Sequence, residues 1–131
     1  MMTKEKKIKY WKDLSNYDLE TAIAMFETKR YLYVAFMCHQ VIEKILKSYY
    51  SKLKDETPPF THKLIYLAIH GGFYDSFDQQ QIDFITEIEP FNIETRYPEY
   101  KERLLKRLSP NYCERLIEKT KELQQWIIEQ I

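Results

Sequence analysis

Tyr31-Leu32-Tyr33-Val34-Ala35-Phe36-Met37-Cys38-His39-Gln40-Val41-Ile42-Glu43-Lys44-Ile45-Leu46-Lys47-Ser48-Tyr49-Tyr50-Ser51-Lys52-Leu53 is the stretch that decides the fold. It contains neither Gly nor Pro, and Phe36, Cys38, Val41, Ile42, Ile45, Leu46, Tyr49 and Leu53 recur at helical spacing over a broad sector of a helical wheel. A helix apolar over so wide a sector has to touch more than one neighbour. The stretch therefore predicts a long central helix over Tyr31 to Leu53.

On its N-terminal side, Leu14, Tyr17, Thr21 and Met25 repeat at helical spacing, with Trp11, Asp18 and Ala22 near the same stripe, and predict a first amphipathic helix over Trp11 to Thr28. Asp18 is an acid close to its inner face. The basic opening, Lys4 to Lys9, reads as a solvated terminus or a weak phosphate-contacting arm. On the C-terminal side Pro58-Pro59 stops the central helix, because proline lacks the backbone donor and disfavours helical geometry in the residue before it. Thr61 is the predicted cap of a short helix carrying Leu64, Ile65, Leu67 and Ala68. Gly71-Gly72 ends that helix by supplying a left-handed residue.

Ser76-Phe77-Asp78-Gln79 has capping-box spacing, so a fourth helix is predicted from about Phe77, with Ile82, Ile85 and Ile88 as its stripe and Pro90 as its end. Phe91 to Tyr100 reads as an irregular connection. Lys101 to Leu108 stays open among a helical turn, an early start of the last helix, and loop. Ser109-Pro110 is an N-cap followed by proline at the first helical position. Beyond it, Cys113, Leu116, Ile117, Thr120, Leu123, Ile127 and Ile131 form the stripe of a long last helix. The predicted fold class is all-α: one domain over residues 1–131, an antiparallel up-and-down bundle of four main helices plus a short extra helix.

Composition agrees, since 131 residues suffice for one core and the chain has only 2 Gly and 5 Pro. Lys+Arg and Asp+Glu number 20 each, so no overall field draws the chain to nucleic acid or an anionic membrane, and any polyanion site is local. Cys38 and Cys113 fall within apolar helical patterns and outside any CxxC arrangement, which reads as two buried free thiols in a reducing cytosol. No apolar run reaches the roughly 20 residues of a membrane span, and the expected location is cytoplasmic.

Chemistry concentrates in two places. On the central helix, Glu43 and Lys47 stand four apart with the acid first, Gln40 precedes Glu43 by three, and His39 lies one turn before Glu43. These residues read either as a polar seam that orients the helix or as one wall of a site. His39 with His62 and His70 does not make a zinc pattern, no GxSxG or phosphate-binding Gly-rich loop occurs, and no metal or cofactor is expected. The second place is Glu94-Thr95-Arg96-Tyr97-Pro98-Glu99-Tyr100. Pro98 biases Tyr97 to extended backbone and stiffens the setting of Arg96, whose guanidinium can take a phosphate bidentately or pair with Glu94, Glu99 or Asp18.

In order and spacing these segments resemble the HEPN domain family, in particular its small stand-alone prokaryotic members found beside minimal nucleotidyltransferases. The matching elements are Asp18-Leu19 with Ala22, Arg30-Tyr31, the run Phe36 to Lys47, Thr61-His62-Lys63-Leu64, and Arg96-Tyr97-Pro98-Glu99. The resemblance implies a four- or five-helix bundle that pairs into a homodimer, with a polar groove around the second helix and the arginine segment. It also implies nucleotide or RNA binding and, for several members, a toxin-antitoxin-like partnership with a nucleotidyltransferase. The ligand-binding set on this reading is Arg96, Tyr97, Gln40, Glu43, Lys47 and His39, with Asp18, His62 and Pro98 as orienting residues. Tyr31, Tyr33, Phe73, Tyr74 and Phe77 fit a dimer face or a cover over a small core.

Active ribonucleases of the family carry an Arg and a His with four to six residues between them. Here the corresponding positions hold Lys101, Glu102 and Arg103 after Arg96, and Ala35, Phe36 and Met37 after Arg30. No catalytic residue is therefore assigned, and binding is expected ahead of cleavage; a divergent metal-independent ribonuclease and a purely structural homodimeric partner are the alternatives.

Overall fold

The computed structural model describes residues 2–131, and its regular elements are helical. In chain order they are α1 (Lys4–Glu27), α2 (Tyr31–Leu53), α3 (Leu64–Gly71), a 3₁₀ turn (Tyr74–Ser76), α4 (Gln79–Ile88), the single turn α5 (Phe91–Glu94), α6 (Pro98–Arg107) and α7 (Pro110–Gln130). The fold is the all-α bundle expected from the sequence.

α2 lies at its centre, packed against α1, α7, α3, α5, α4 and α6. Val34, Ala35, Cys38, Val41, Ile42, Ile45 and Leu46 are wholly buried along it, in keeping with its broad apolar sector. Buried hydrogen bonds tie α1 and α7 to this axis. The Ser15 hydroxyl donates to the Val41 carbonyl at 2.8 Å, and Gln124 Nε2 donates to Ser15 Oγ at 2.9 Å and to Asn16 Oδ1 at 3.0 Å. Each satisfies a polar group that would otherwise cost free energy by being buried unpaired.

α1 begins seven residues before the predicted Trp11, with Thr3 as N-cap accepting from the Lys6 N–H. The basic opening is thus helical, and the Ser48 hydroxyl donates to the Ile8 carbonyl across the α1–α2 seam. Thr61 does not cap α3: Lys63 holds the cap position and Thr61 Oγ1 accepts from the Lys63 N–H. A donor of the first turn of α3 is taken instead by Glu89, whose Oε1 accepts from the Ile65 N–H at 2.9 Å. The end of α3 is as predicted, with Gly72 left-handed at φ 81°.

The capping box sits two residues after the predicted one. Asp78 accepts from the Gln81 N–H while Gln81 Oε1 accepts from the Asp78 N–H, and Ser76 instead ends the 3₁₀ turn. Phe91 to Tyr100 is helical at both ends, and only Thr95, Arg96 and Tyr97 form the non-helical turn between them. Pro90 takes the N-cap place of α5 and Pro98 the first position of α6, so each proline starts a helix where its missing N–H costs nothing. Lys101 to Leu108 accordingly belongs to a helix of its own and its cap. Phe73 and Phe77 are core residues, which removes them from any dimer face; Tyr33 is exposed.

Candidate functional site

An open groove of about 610 Å³ lies where the segment between α2 and α3 meets α5 and the start of α6. Phe60, His62 and Lys63 line one side, and Asn92, Arg96, Tyr97 and Tyr100 the other. The structure therefore brings Arg96 and Tyr97 together with His62, residues far apart in sequence.

Arg96 is set by Asn92, one helical turn earlier. Its Nε donates to the Asn92 carbonyl and its Nη2 to Asn92 Oδ1, both at 2.7 Å. Because Asn92 is itself buried, the guanidinium stands on a fixed base while the residue remains exposed. Two of its N–H groups are used in this way and the rest are available to a ligand. Its partners are thus neither Glu94 nor Glu99, and Asp18 lies 3.5 Å from Lys44 Nζ instead. Burial raises the Asp18 pKa, with Lys44 opposing. Tyr97 adopts extended backbone, φ −106° and ψ 130°, as a residue preceding proline should. Its ring lies under the Arg96 guanidinium, 5.8 Å from centroid to Cζ.

His39, Glu43 and Lys47 do not line this groove; they are buried on α2 and reach it through His62. Glu43 Oε1 lies 2.8 Å from His62 Nδ1, and Glu43 Oε2 accepts from Lys47 Nζ at 3.0 Å. Burial works to raise the Glu43 pKa, but the His62 hydrogen bond and the Lys47 charge outweigh it and hold the carboxyl below its ordinary value. As a carboxylate Glu43 only accepts, so His62 Nδ1 carries the proton and Nε2 is left free in the neutral ring. Lys47 also stands over the Trp11 ring, 5.2 Å from its centroid.

His39 Nε2 is 3.0 Å from the His62 carbonyl. A carbonyl accepts only, so Nε2 bears the hydrogen and Nδ1 a lone pair. That accounts for Nδ1 having no hydrogen-bond partner while lying 3.8 Å from Glu43 Oε1. Burial lowers the His39 pKa and keeps the ring neutral. Gln40, half-buried on α2, does not line the groove, and its Oε1 has no hydrogen-bond partner. The expected ligand set thus divides into groove residues, Arg96 and Tyr97, and a supporting layer of Glu43, Lys47 and His39. His62, expected to orient, is itself on the surface of the groove, and Pro98 starts α6.

Asn92 and Phe60 were not singled out in the sequence, whereas Tyr100 closes the Glu94–Tyr100 segment that was. The signal for Asn92 was its place four residues before Arg96, a helical spacing that becomes visible once α5 is recognised. Among the described residues no group of three or more His, Cys, Asp and Glu is placed to hold a metal ion, and no helix is long and apolar enough to cross a membrane.

Fold and groove together define a helical bundle with a cation and exposed aromatics at one open site. The chain belongs to the HEPN family: the HEPN domain matches residues 8–131. Among solved structures, the crystal structure of TT1696 from Thermus thermophilus superposes with a TM-score of 0.81, covering 95% of this chain and 98% of that one at 14% identity. At that identity the likeness concerns the fold. None of the curated proteins matches the sequence.

Proposed function

We propose that this chain is a nucleotide- or RNA-binding module that works as a homodimer in the cytoplasm, beside a minimal nucleotidyltransferase in a toxin-antitoxin-like pair. Membership of the HEPN family supports the general class. The observation that carries the site assignment is Arg96, fixed by two hydrogen bonds to Asn92 at the edge of a groove that also exposes Tyr97 and Tyr100. A guanidinium beside aromatic faces suits a phosphate joined to a base. A net charge of zero favours a short ligand over a long polyanion.

The test is titration of a fluorescent hexameric riboadenylate. Arg96→Ala weakens binding about tenfold, the order of one charge-assisted contact, with the melting temperature unchanged. Unaltered affinity would remove Arg96 from the site. Sedimentation tests the homodimer, and co-purification with a nucleotidyltransferase encoded next to it tests the pair.

One observation favours ribonuclease activity as the second reading: His62, oriented by Glu43, shares the groove with Arg96 although the His expected after Arg96 is absent. An imidazole with a free nitrogen can take the proton of a 2′-hydroxyl as its oxygen bonds to phosphorus, an arginine can stabilise the charged phosphorane, and as the P–O5′ bond breaks the leaving 5′-oxygen takes a proton from water. Incubation of RNA with the protein in chelator decides it. Cleavage lost on His62→Ala supports the enzyme; intact RNA at high protein concentration leaves the binding module.

A further inference from the structure

Among the described residues Phe60 is the most exposed large apolar one, at 100%. An isolated exposed apolar side chain on a floppy loop would mean nothing. This one is neither isolated nor on a floppy loop. Pro58 is buried and Pro59 partly so, and the Thr61 N–H donates to the Pro59 carbonyl at 2.9 Å, which closes a three-residue turn with Phe60 at its apex. Immediately beyond, His62 is tied through its ring to Glu43 and through its carbonyl to His39. The backbone around Phe60 is therefore anchored while its side chain is left in solvent.

The ring belongs to the same groove as Arg96, Tyr97 and Tyr100, and two further nitrogen-bearing side chains, His62 and Lys63, flank it. Glu99 is the one acid among the lining residues. The surroundings thus combine flat apolar surface with positive charge, which fits an occupant that has a flat apolar face and a negative charge close together. An apolar protein surface would leave the cations without partners. A duplex would hide its bases in its own stack.

We propose that Phe60 is a stacking platform for one unpaired nucleobase whose phosphate rests on Arg96, so that the Pro58-Pro59-Phe60 turn gives the groove its preference for single-stranded or mononucleotide ligands. This rests on the nucleotide-binding reading and adds to it the residue that reads the base. Because the turn is already formed, little ordering is needed when the base arrives.

The experiment compares the full chain with Phe60→Leu, which keeps apolar bulk but removes the aromatic face, and Phe60→Trp, which keeps the face. Each is titrated by fluorescence anisotropy with hexameric riboadenylate and with an abasic strand of equal charge. The unaltered protein prefers the riboadenylate by about tenfold, the order of one base–aromatic stack. Phe60→Leu brings the riboadenylate down to the abasic level and leaves abasic binding as it was, while Phe60→Trp retains the preference. If Phe60→Leu keeps the full preference, or weakens both strands alike, the stacking role is overturned and the nucleotide-binding reading stands. If the unaltered protein binds neither strand, the binding reading falls first and this inference with it. Sedimentation of the same variants covers the other occupant: loss of self-association with riboadenylate affinity intact assigns Phe60 to a contact between copies and overturns the proposal.

Discussion

His62 is held to α2 at both ends of the residue: Glu43 Oε1 accepts from its Nδ1 at 2.8 Å, and its carbonyl accepts from His39 Nε2 at 3.0 Å. Glu43 at the same time holds Lys47 at 3.0 Å in a buried pair. Removing one partner of such a pair strands a buried charge, whereas replacing both with apolar groups does not. Glu43→Leu is therefore expected to cost about 3–5 kcal/mol in urea denaturation. The double variant Glu43→Leu with Lys47→Met should recover at least half of that loss. A double variant as unstable as the single one would show that the His62 bond, and not the ion pair, sets the cost.

The same cluster makes stability depend on pH below neutrality. Burial depresses the folded pKa of His39 beneath its ordinary 6.5, so the unfolded chain binds a proton there that the folded chain refuses. Stability is complete above 6.5 and is lost as pH falls from that value toward the folded pKa. Glu43 is also depressed, from 4.5, and adds a second loss as pH falls below that. Thermal melts between pH 8 and 4 should show destabilisation that starts near 6.5 and steepens near 4.5. His39→Gln, which can still donate to the His62 carbonyl, should flatten the first part and leave the second.

Asn92 gives Arg96 its direction through a side-chain oxygen and a backbone oxygen, and only the former can be removed by substitution. Asn92→Ala retains the Nε bond, so Arg96 keeps its place but gains freedom about it. Riboadenylate affinity should fall three- to tenfold and stability by about 1 kcal/mol, the worth of one hydrogen bond. Arg96→Lys should resemble Arg96→Ala more than the unaltered protein, because lysine cannot use the Asn92 fork or present a planar face to Tyr97. Equal affinity of Arg96→Lys and the unaltered protein would mean that charge alone matters.

The parts of the molecule that could be read in the sequence are those where a local signal has one meaning. α2 runs from Tyr31 to Leu53 as its apolar pattern requires, and α7 starts at the Ser109-Pro110 cap. Where a signal has two meanings, the tertiary setting decided. Pro90 can end one helix or begin another, and it does both for α4 and α5. Ser76 and Asp78 each precede a Gln at capping distance, and the carboxylate won because the 3₁₀ turn had already taken Ser76, whose hydroxyl donates to the Phe73 carbonyl. The candidate site was legible in its pieces but not in its layers. Helical spacing placed Gln40, Glu43 and Lys47 along α2, yet whether they face a ligand or a neighbour depends on where the Pro58–Lys63 segment lies, and nothing local encodes that.

The two glycines that end α3 offer a final contrast, because they are constrained for different reasons. Gly72 is left-handed at φ 81° and has open space where a Cβ would stand, so Gly72→Ala suffers only the backbone penalty, about 1–2 kcal/mol. Gly71 has ordinary backbone but no room: a Cβ there would overlap the Phe73 ring and stand 2.9 Å from the Tyr50 ring. Phe73 is buried and stacked on Tyr49 at 4.4 Å, so its ring has little freedom to retreat. Gly71→Ala should thus cost about 1–3 kcal/mol through overpacking. Its distinguishing effect is on the surroundings: near-ultraviolet circular dichroism from Tyr49 and Phe73 changes in Gly71→Ala and stays as it was in Gly72→Ala. Asparagine, which tolerates left-handed backbone, should restore most of the loss at position 72 and worsen it at position 71. Rescue by asparagine at both positions would contradict the steric account of Gly71.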